Sequence, residues 1–337
     1  MMDLTGPIAP WPADARRLFE KCLHEALDSP RAWLTPPRTG LPRLREALAA
    51  HLRLPYDGLS VTGGIREQAS ALFRASEAVV IERPAFRDVP RLAYEHVRDV
   101  ALMAPEDILS LDGDLTGTLV WVTSPARNPD GFTLTDNQAA TLTGIGRRCA
   151  RLVVNQAYHW AAPQAPRPDG ATLLGSLHKL AGGGGQLGWR FSPEGAGRER
   201  PSRGGPPRAW QDAWAGFVER GGLDALAGPG LRAASRRCAA FARTFVPPPG
   251  VEIRFGGDGP SLLLVFAPDG PSEESVVDAF AAAGLTVSPG ASFYCTRTAV
   301  RLSFTAVTDA DLPECRHRAE RATAAIRPLV HGTPHDA

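Results

Sequence analysis

The sequence holds only two lysines, Lys21 and Lys179; every other one of its 37 basic residues is arginine. A guanidinium stays protonated in proteins, whereas a lysine amine loses its proton where desolvation or neighbouring cations depress its pKa, and only the neutral amine attacks a carbonyl. An arginine-favouring composition explains the bias but not the two exceptions. Lys21 falls in the amphipathic stretch 14–27, where a solvated helix surface accounts for it. Lys179 closes the segment Leu174-Gly175-Ser176-Leu177-His178-Lys179 and precedes the glycines 182–185 and Gln186-Leu187-Gly188-Trp189. A lysine beside a glycine loop is unremarkable alone, but in this chain it marks a place where a primary amine has been kept.

Four further segments follow apolar runs in the same manner. Val61-Thr62-Gly63-Gly64-Ile65 ends one run and opens a helical pattern, so its backbone N–H groups suit a phosphate. Glu82-Arg83-Pro84-Ala85-Phe86 places an aromatic ring after the next. Ser124-Pro125-Ala126-Arg127-Asn128-Pro129-Asp130-Gly131 holds an amide in a turn made rigid by Pro129 and Gly131. Val153-Val154-Asn155-Gln156-Ala157-Tyr158 sets two amides and a phenol past a buried run. Each alone reads as an ordinary turn or core residue; five in this order do not arise readily by chance.

The elements that must carry these residues alternate. Strand-like runs at 59–61, 78–82, 97–101, 118–123, 152–154 and 172–174 are interleaved with helical patterns at 65–76, 86–94 and 136–149, after two helices at 14–27 and 42–52. This βαβα order predicts a mostly parallel sheet with helices on both faces, a three-layer αβα sandwich. In such sheets ligands bind beyond the carboxyl ends of the strands, which is where the marked residues fall. Residues 192–207, rich in Gly, Pro, Arg and Ser, predict a long loop, followed by helices at 209–220 and 231–245. Runs at 262–266 and 300–304 with helices at 273–283 and 311–326 predict a small α+β unit. The expected division is 1–45 as an N-terminal arm with part of the small domain, 46–230 as the large domain and 231–337 as the small one.

With 43% hydrophobic residues the chain has ample material for a core, and a net charge of +1 gives no bulk attraction to nucleic acid or anionic membrane. No segment has the length of a signal-peptide core or membrane span, so a cytoplasmic protein is expected. Cys22, Cys149, Cys238, Cys295 and Cys315 show no paired spacing and read as free thiols, with no metal site.

In these segments, and in the Leu44-Arg45 helix after Gly40 and Arg301-Leu302-Ser303-Phe304, residues 30–325 resemble the class I and II aminotransferases of pyridoxal phosphate (PLP) fold type I. The resemblance implies a PLP enzyme acting on an amino acid, with a homodimer whose site lies at the interface. It implies that Lys179 forms the Schiff base, Phe86 stacks on the pyridine ring, and Asn128 and Tyr158 hydrogen-bond the ring's phenolic oxygen. Gly63, Gly64, Ile65 and Ser176 would hold the phosphate, with His178 beside it, and Arg301 would bind the substrate α-carboxylate, a planar fork suited to it.

Three departures bear on the reaction. Family members place aspartate where this chain has Asn155, and that carboxylate keeps the pyridine nitrogen protonated. An arginine that binds phosphate is replaced by Gln186, with Arg190 nearby, and the tyrosine that the partner subunit usually supplies is absent around 34–40, where Trp33 is the nearest aromatic. Two readings follow. One is an aminotransferase-like enzyme specialised for cyclisation, elimination, decarboxylation or oxidation. The other is a fold type I protein that has lost or altered PLP catalysis and serves as a binding or scaffold protein or takes another ligand.

Overall fold

The computed structural model describes residues 1–196 and 205–326, so the central part of the loop expected at 192–207 lies outside the described residues. A two-residue strand, β1 (Met2–Asp3), opens the chain. The central sheet is built from β2 (Leu59–Thr62), β3 (Ala78–Glu82), β4 (Asp99–Met103), β5 (Leu115–Thr123), β6 (Cys149–Asn155), β7 (Thr172–Ser176) and β8 (Gly188–Phe191), in the order β2-β8-β7-β6-β5-β3-β4. All neighbours pair in parallel except β8, which runs antiparallel to both β2 and β7.

Alternation along each strand sorts its side chains onto two faces, and both are covered, which is why the runs are apolar throughout. Val79, Ile81, Leu119, Trp121, Val153 and Leu174 pack with Leu72, Phe73, Val89 and Ala93 of the helices Ile65–Arg74 and Asp88–His96. Val80, Val120, Val122, Leu152, Val154 and Leu173 meet the opposite layer, formed by Ala13–Leu27, Pro42–Leu52, Asp136–Gly146 and Arg208–Glu219. The three-layer sandwich predicted from the sequence is the observed architecture.

Boundaries differ where tertiary contacts intervene. The helix expected from residue 86 starts at Asp88, because the Ala85 N–H is held by the Phe293 carbonyl at 2.9 Å and the chain stays out of the helix through Phe86. The helix expected over 136–149 is opened by a Thr135–Gln138 capping box and stops at Gly146, with Cys149 already in β6. The helix expected from residue 231 begins at Ala233, after a π-turn over Gly228–Arg232.

The second sheet comprises β9 (Val251–Arg254), β10 (Ser261–Phe266), β12 (Ser288–Pro289) and β13 (Ala299–Ser303), all antiparallel in the order β12-β13-β10-β9, while β11 (Leu285–Thr286) pairs in parallel with β1. The helices Ala233–Thr244, Glu273–Ala282 and Leu312–Ala325 close a separate core around Phe241, Phe280, Leu302 and Phe304. Leu4 lies in this core, whereas Phe19 of the first helix lies in that of the large sheet. The two sheets meet at the turn carrying Asn128, where the Gly256 N–H donates to the Asp130 carbonyl at 2.8 Å. Gly131 there has φ +70°, and a Cβ on it would overlap the Asp258 carbonyl, so only glycine fits.

Candidate active site

Because β2, β3, β5, β6 and β7 share one direction, their carboxyl ends lie along one edge of the sheet, and each marked segment starts there. Lys179 sits on the short helix His178–Ala181, anchored by buried Leu177 and Leu180 directly after β7. Its Nζ is 5.4 Å from the centre of the Phe86 ring and 5.5 Å from that of Tyr158. Rings from the segments that follow β3 and β6 thus lie near one amine in the segment that follows β7, with 179 − 86 = 93 positions between the outermost two residues.

Arg301 reaches the same edge from β13 and is 6% exposed. Its Nη1 donates to Asn128 Oδ1 at 2.9 Å, its Nη2 to Ser288 Oγ at 3.1 Å and to the Thr5 carbonyl, and its guanidinium lies 4.9 Å from the Phe293 ring centre. Burial lowers its pKa, opposed by Tyr158 and Asp3. Among the described residues its Nε has no partner. A buried guanidinium with one N–H unanswered is costly unless an acceptor arrives.

Asn128 is held in place from behind. Its neighbour Arg127, 3% exposed, donates to both Asp130 oxygens at 2.9 and 2.5 Å and to Glu82 at 3.4 Å. Burial pushes the Glu82 carboxyl up to about 7, opposed by the charge of Arg127 and by hydrogen bonds from Thr123.

Asn155 ends β6, buried, and its Oδ1 accepts the Ala157 N–H at 3.1 Å. A backbone N–H can only donate, which fixes the amide's orientation and leaves its Nδ2 with a 3.5 Å contact to Thr123 Oγ1. Gln156 beside it is 1% exposed; its N–H donates to the Leu174 carbonyl at 2.7 Å, and its Oε1 has no partner among the described residues.

Gly64 and Ser176 face each other: a Cβ on Gly64, whose φ is +123°, would lie 4.0 Å from Ser176 Oγ. Ser176 Oγ accepts the His178 N–H at 3.0 Å, and His178 Nδ1 lies 3.2 Å from the Gly182 carbonyl, with burial and Lys179 lowering its pKa. Ile65 opens the helix here, and the Gly63 N–H is taken at 2.9 Å by the Glu67 carboxylate. A carboxylate at this helix start is what the helix dipole favours. Gln186 is exposed after the glycine turn Gly182–Gly185, and Arg190 lies buried on β8 with its Nε on Ser192 Oγ at 3.1 Å.

Sequence reasoning missed the N-terminal segment. Gly6, Ile8, Ala9, Pro10 and Trp11, with Leu226, Pro229, Leu231 and Thr305, enclose a cavity of about 80 Å³ whose other wall is Tyr158, Lys179 and Leu180. The available signal was a tryptophan between two prolines, Pro10-Trp11-Pro12, which a mere connection does not need.

No family model and no curated protein matches the sequence. Solved structures do. A mutant aspartate aminotransferase from Thermus thermophilus matches with a TM-score of 0.75 at 20% identity, over 95% of this chain and 96% of that one. An alpha-aminoadipate aminotransferase from the same organism, complexed with N-(5'-phosphopyridoxyl)-L-leucine, matches at 0.78 and 16% identity, over 96% and 92%. This chain has the aminotransferase fold. The Pyrococcus horikoshii kynurenine aminotransferase, solved with PMP, matches at 0.76 and 16% identity over 96% and 91%. The aminotransferase fold, of PLP fold type I, is shared here at low identity, so it fixes the architecture of the edge on which Lys179 stands.

Proposed function

We propose that this protein is a PLP-dependent, aminotransferase-like enzyme acting on an amino acid, with Lys179 as the cofactor's amine. The observation that carries the proposal is the Lys179 Nζ set between the Phe86 and Tyr158 rings at the carboxyl edge of the sheet. The residues present fit the group. Lys179 would hold its aldehyde, Phe86 would cover the ring, and Tyr158 and Asn128 would meet the phenolic oxygen. Gly63, Gly64, Ile65 and Ser176, with His178 alongside, would receive the phosphate. The Glu67 carboxylate on the Gly63 N–H supports an anion cradle, and a phosphate would displace it.

When bound, PLP supplies an electron sink for the bond broken at the substrate α-carbon. The chain supplies the rest. Arg301 holds the α-carboxylate, for which its buried Nε is an unused donor. The Lys179 amine, once free, takes and returns the α-proton. Tyr158 and the N-terminal segment exclude water. Asn155 offers a neutral amide where the family resemblance implies a carboxylate, so it cannot keep a ring nitrogen protonated by charge. This favours a specialised reaction over plain transamination. A homodimer completes the proposal, and Trp33, 84% exposed, with Leu34, 56% exposed, would lie at or near its interface.

Asn155→Asp is expected to raise α-proton exchange with simple amino acids on the order of tenfold, equivalent to roughly 1.4 kcal/mol of barrier. Deuterium uptake at the α-carbon followed by NMR reads this, and unchanged exchange would refute the account of Asn155. A second reading, the fold retained without PLP catalysis, is favoured by the exposed, uncharged Gln186. One titration separates the two. Purified protein given PLP should gain an absorption band near the visible edge that borohydride bleaches, with the added mass on the peptide containing Lys179. A colourless protein that takes up no PLP overturns the enzyme reading and leaves the binding or scaffold one.

A further inference from the structure

We infer that Glu82 is a positioning residue for this site, setting from behind the two amides, Asn128 and Asn155, that the PLP reading places at the cofactor ring. The inference rests on that reading and adds a residue to it. Glu82 ends β3, next to the strand whose turn carries Asn128 and two strands from Asn155, and it is buried. Two connections leave its carboxyl. Toward the turn after β5, Arg127 Nη1 lies 3.4 Å from Glu82 Oε2, while its Nε and Nη2 hold Asp130 at 2.9 and 2.5 Å. Asn128 stands between Arg127 and Asp130 in the chain, so this fork closes the turn that brings Asn128 Oδ1 to Arg301. Toward β6, Thr123 gives Glu82 hydrogen bonds, and its hydroxyl lies 3.5 Å from Asn155 Nδ2.

The charges of this cluster do not balance. One buried guanidinium faces two buried carboxyls, and with both ionised a net negative charge is left in a low-dielectric interior. Arg127 gives its fork to Asp130, so Glu82 is the member that keeps a proton, and burial raises its pKa to about 7. Arg127 and Asp130 are the charged groups that bear on it, the first lowering and the second raising that value; β4 meets it in register with the uncharged Met103. A protonated Glu82 leaves the fork between Arg127 and Asp130 intact. Ionised, it competes for the same guanidinium, loosens the turn under Asn128 and sets a negative charge behind groups assigned to an anionic cofactor. The neutral form is therefore the one that favours the cofactor.

The test compares the unaltered protein with Glu82→Gln, which fixes the neutral form, at about pH 6 and about pH 8.5, on either side of the Glu82 pKa. Titration with PLP, followed by its absorption band, should give equal affinities at the lower pH and, at the higher, binding at least about threefold weaker in the unaltered protein. Taking the ratio of the two proteins cancels the titration of PLP and of Lys179. In the cofactor-free unaltered protein, infrared spectra should show a protonated-carboxyl band that fades as the pH rises through about 7. Thr123→Val removes a hydrogen bond that lowers the Glu82 pKa, so the fading should move to higher pH with every charge still in place. This arm needs no change at Glu82, and so stands even where Glu82→Gln does not fold. An affinity ratio that is the same at both pH values, a carboxyl band already absent at the lower pH, or a transition that Thr123→Val leaves in place overturns the inference and leaves the PLP reading standing. A protein that takes up no PLP at either pH overturns both.

Discussion

Lys179→Ala is expected to abolish the borohydride-reducible absorption band and with it all measurable turnover. Proton transfer by a positioned side chain alone accounts for roughly 10²–10⁴ in rate, and the same residue is assigned the covalent attachment, so the combined loss should exceed that range. The test is unusually clean because no other side-chain amine is placed to substitute: the only other lysine, Lys21, lies exposed on the helix Ala13–Leu27 and does not line the cavity at Lys179. Lys179→Arg is the informative companion. It keeps a cation beside Phe86 and Tyr158 but cannot be deprotonated, so a site that needed only charge would survive it. Since Lys179 is only half-buried, neither variant should change the unfolding midpoint much. A reducible band that persists in Lys179→Ala, with the adduct mapped to Lys21 or the N-terminal amine, would sink the assignment.

Arg301→Gln should raise KM for the amino acid by on the order of 10²–10³, the equivalent of roughly 3–4 kcal/mol lost when a buried charged partner of a carboxylate is removed. The cofactor band should be retained, because the interactions assigned to PLP come from other residues. Stability should fall as well, by roughly 1–3 kcal/mol, because Asn128 Oδ1 and the Thr5 carbonyl lose their donor inside the protein. Arg301→Lys preserves the charge without the planar fork and should recover only part of KM. The two effects separate the roles. If chemical denaturation shows the loss of stability while KM does not move, Arg301 is a tie between the sheets and not a carboxylate site.

Much of the site was legible before the fold. Lys179 stood out because an amine is rare in this chain, and Gly63, Phe86, Asn128, Asn155, Tyr158 and Ser176 stood out because each follows an apolar run. Such runs become strands wherever both faces are covered, and parallel strands present their carboxyl ends together, so local pattern was enough to place these residues on one edge. Local pattern could not say that β8 runs against its neighbours, because alternation carries no strand direction. Nor could it foresee that Gln186 would be exposed after its glycine turn.

The sequence by itself determined the layer architecture, singled out Lys179 and set the order of the marked segments along the chain, because those follow from periodicity and residue chemistry within a few positions. Tertiary structure alone decided the pairing of Arg301 with Asn128 across 173 residues and the passage of Gly6 to Trp11 over Lys179. Both depend on where two separate cores settle against each other, and no short-range spacing encodes that distance.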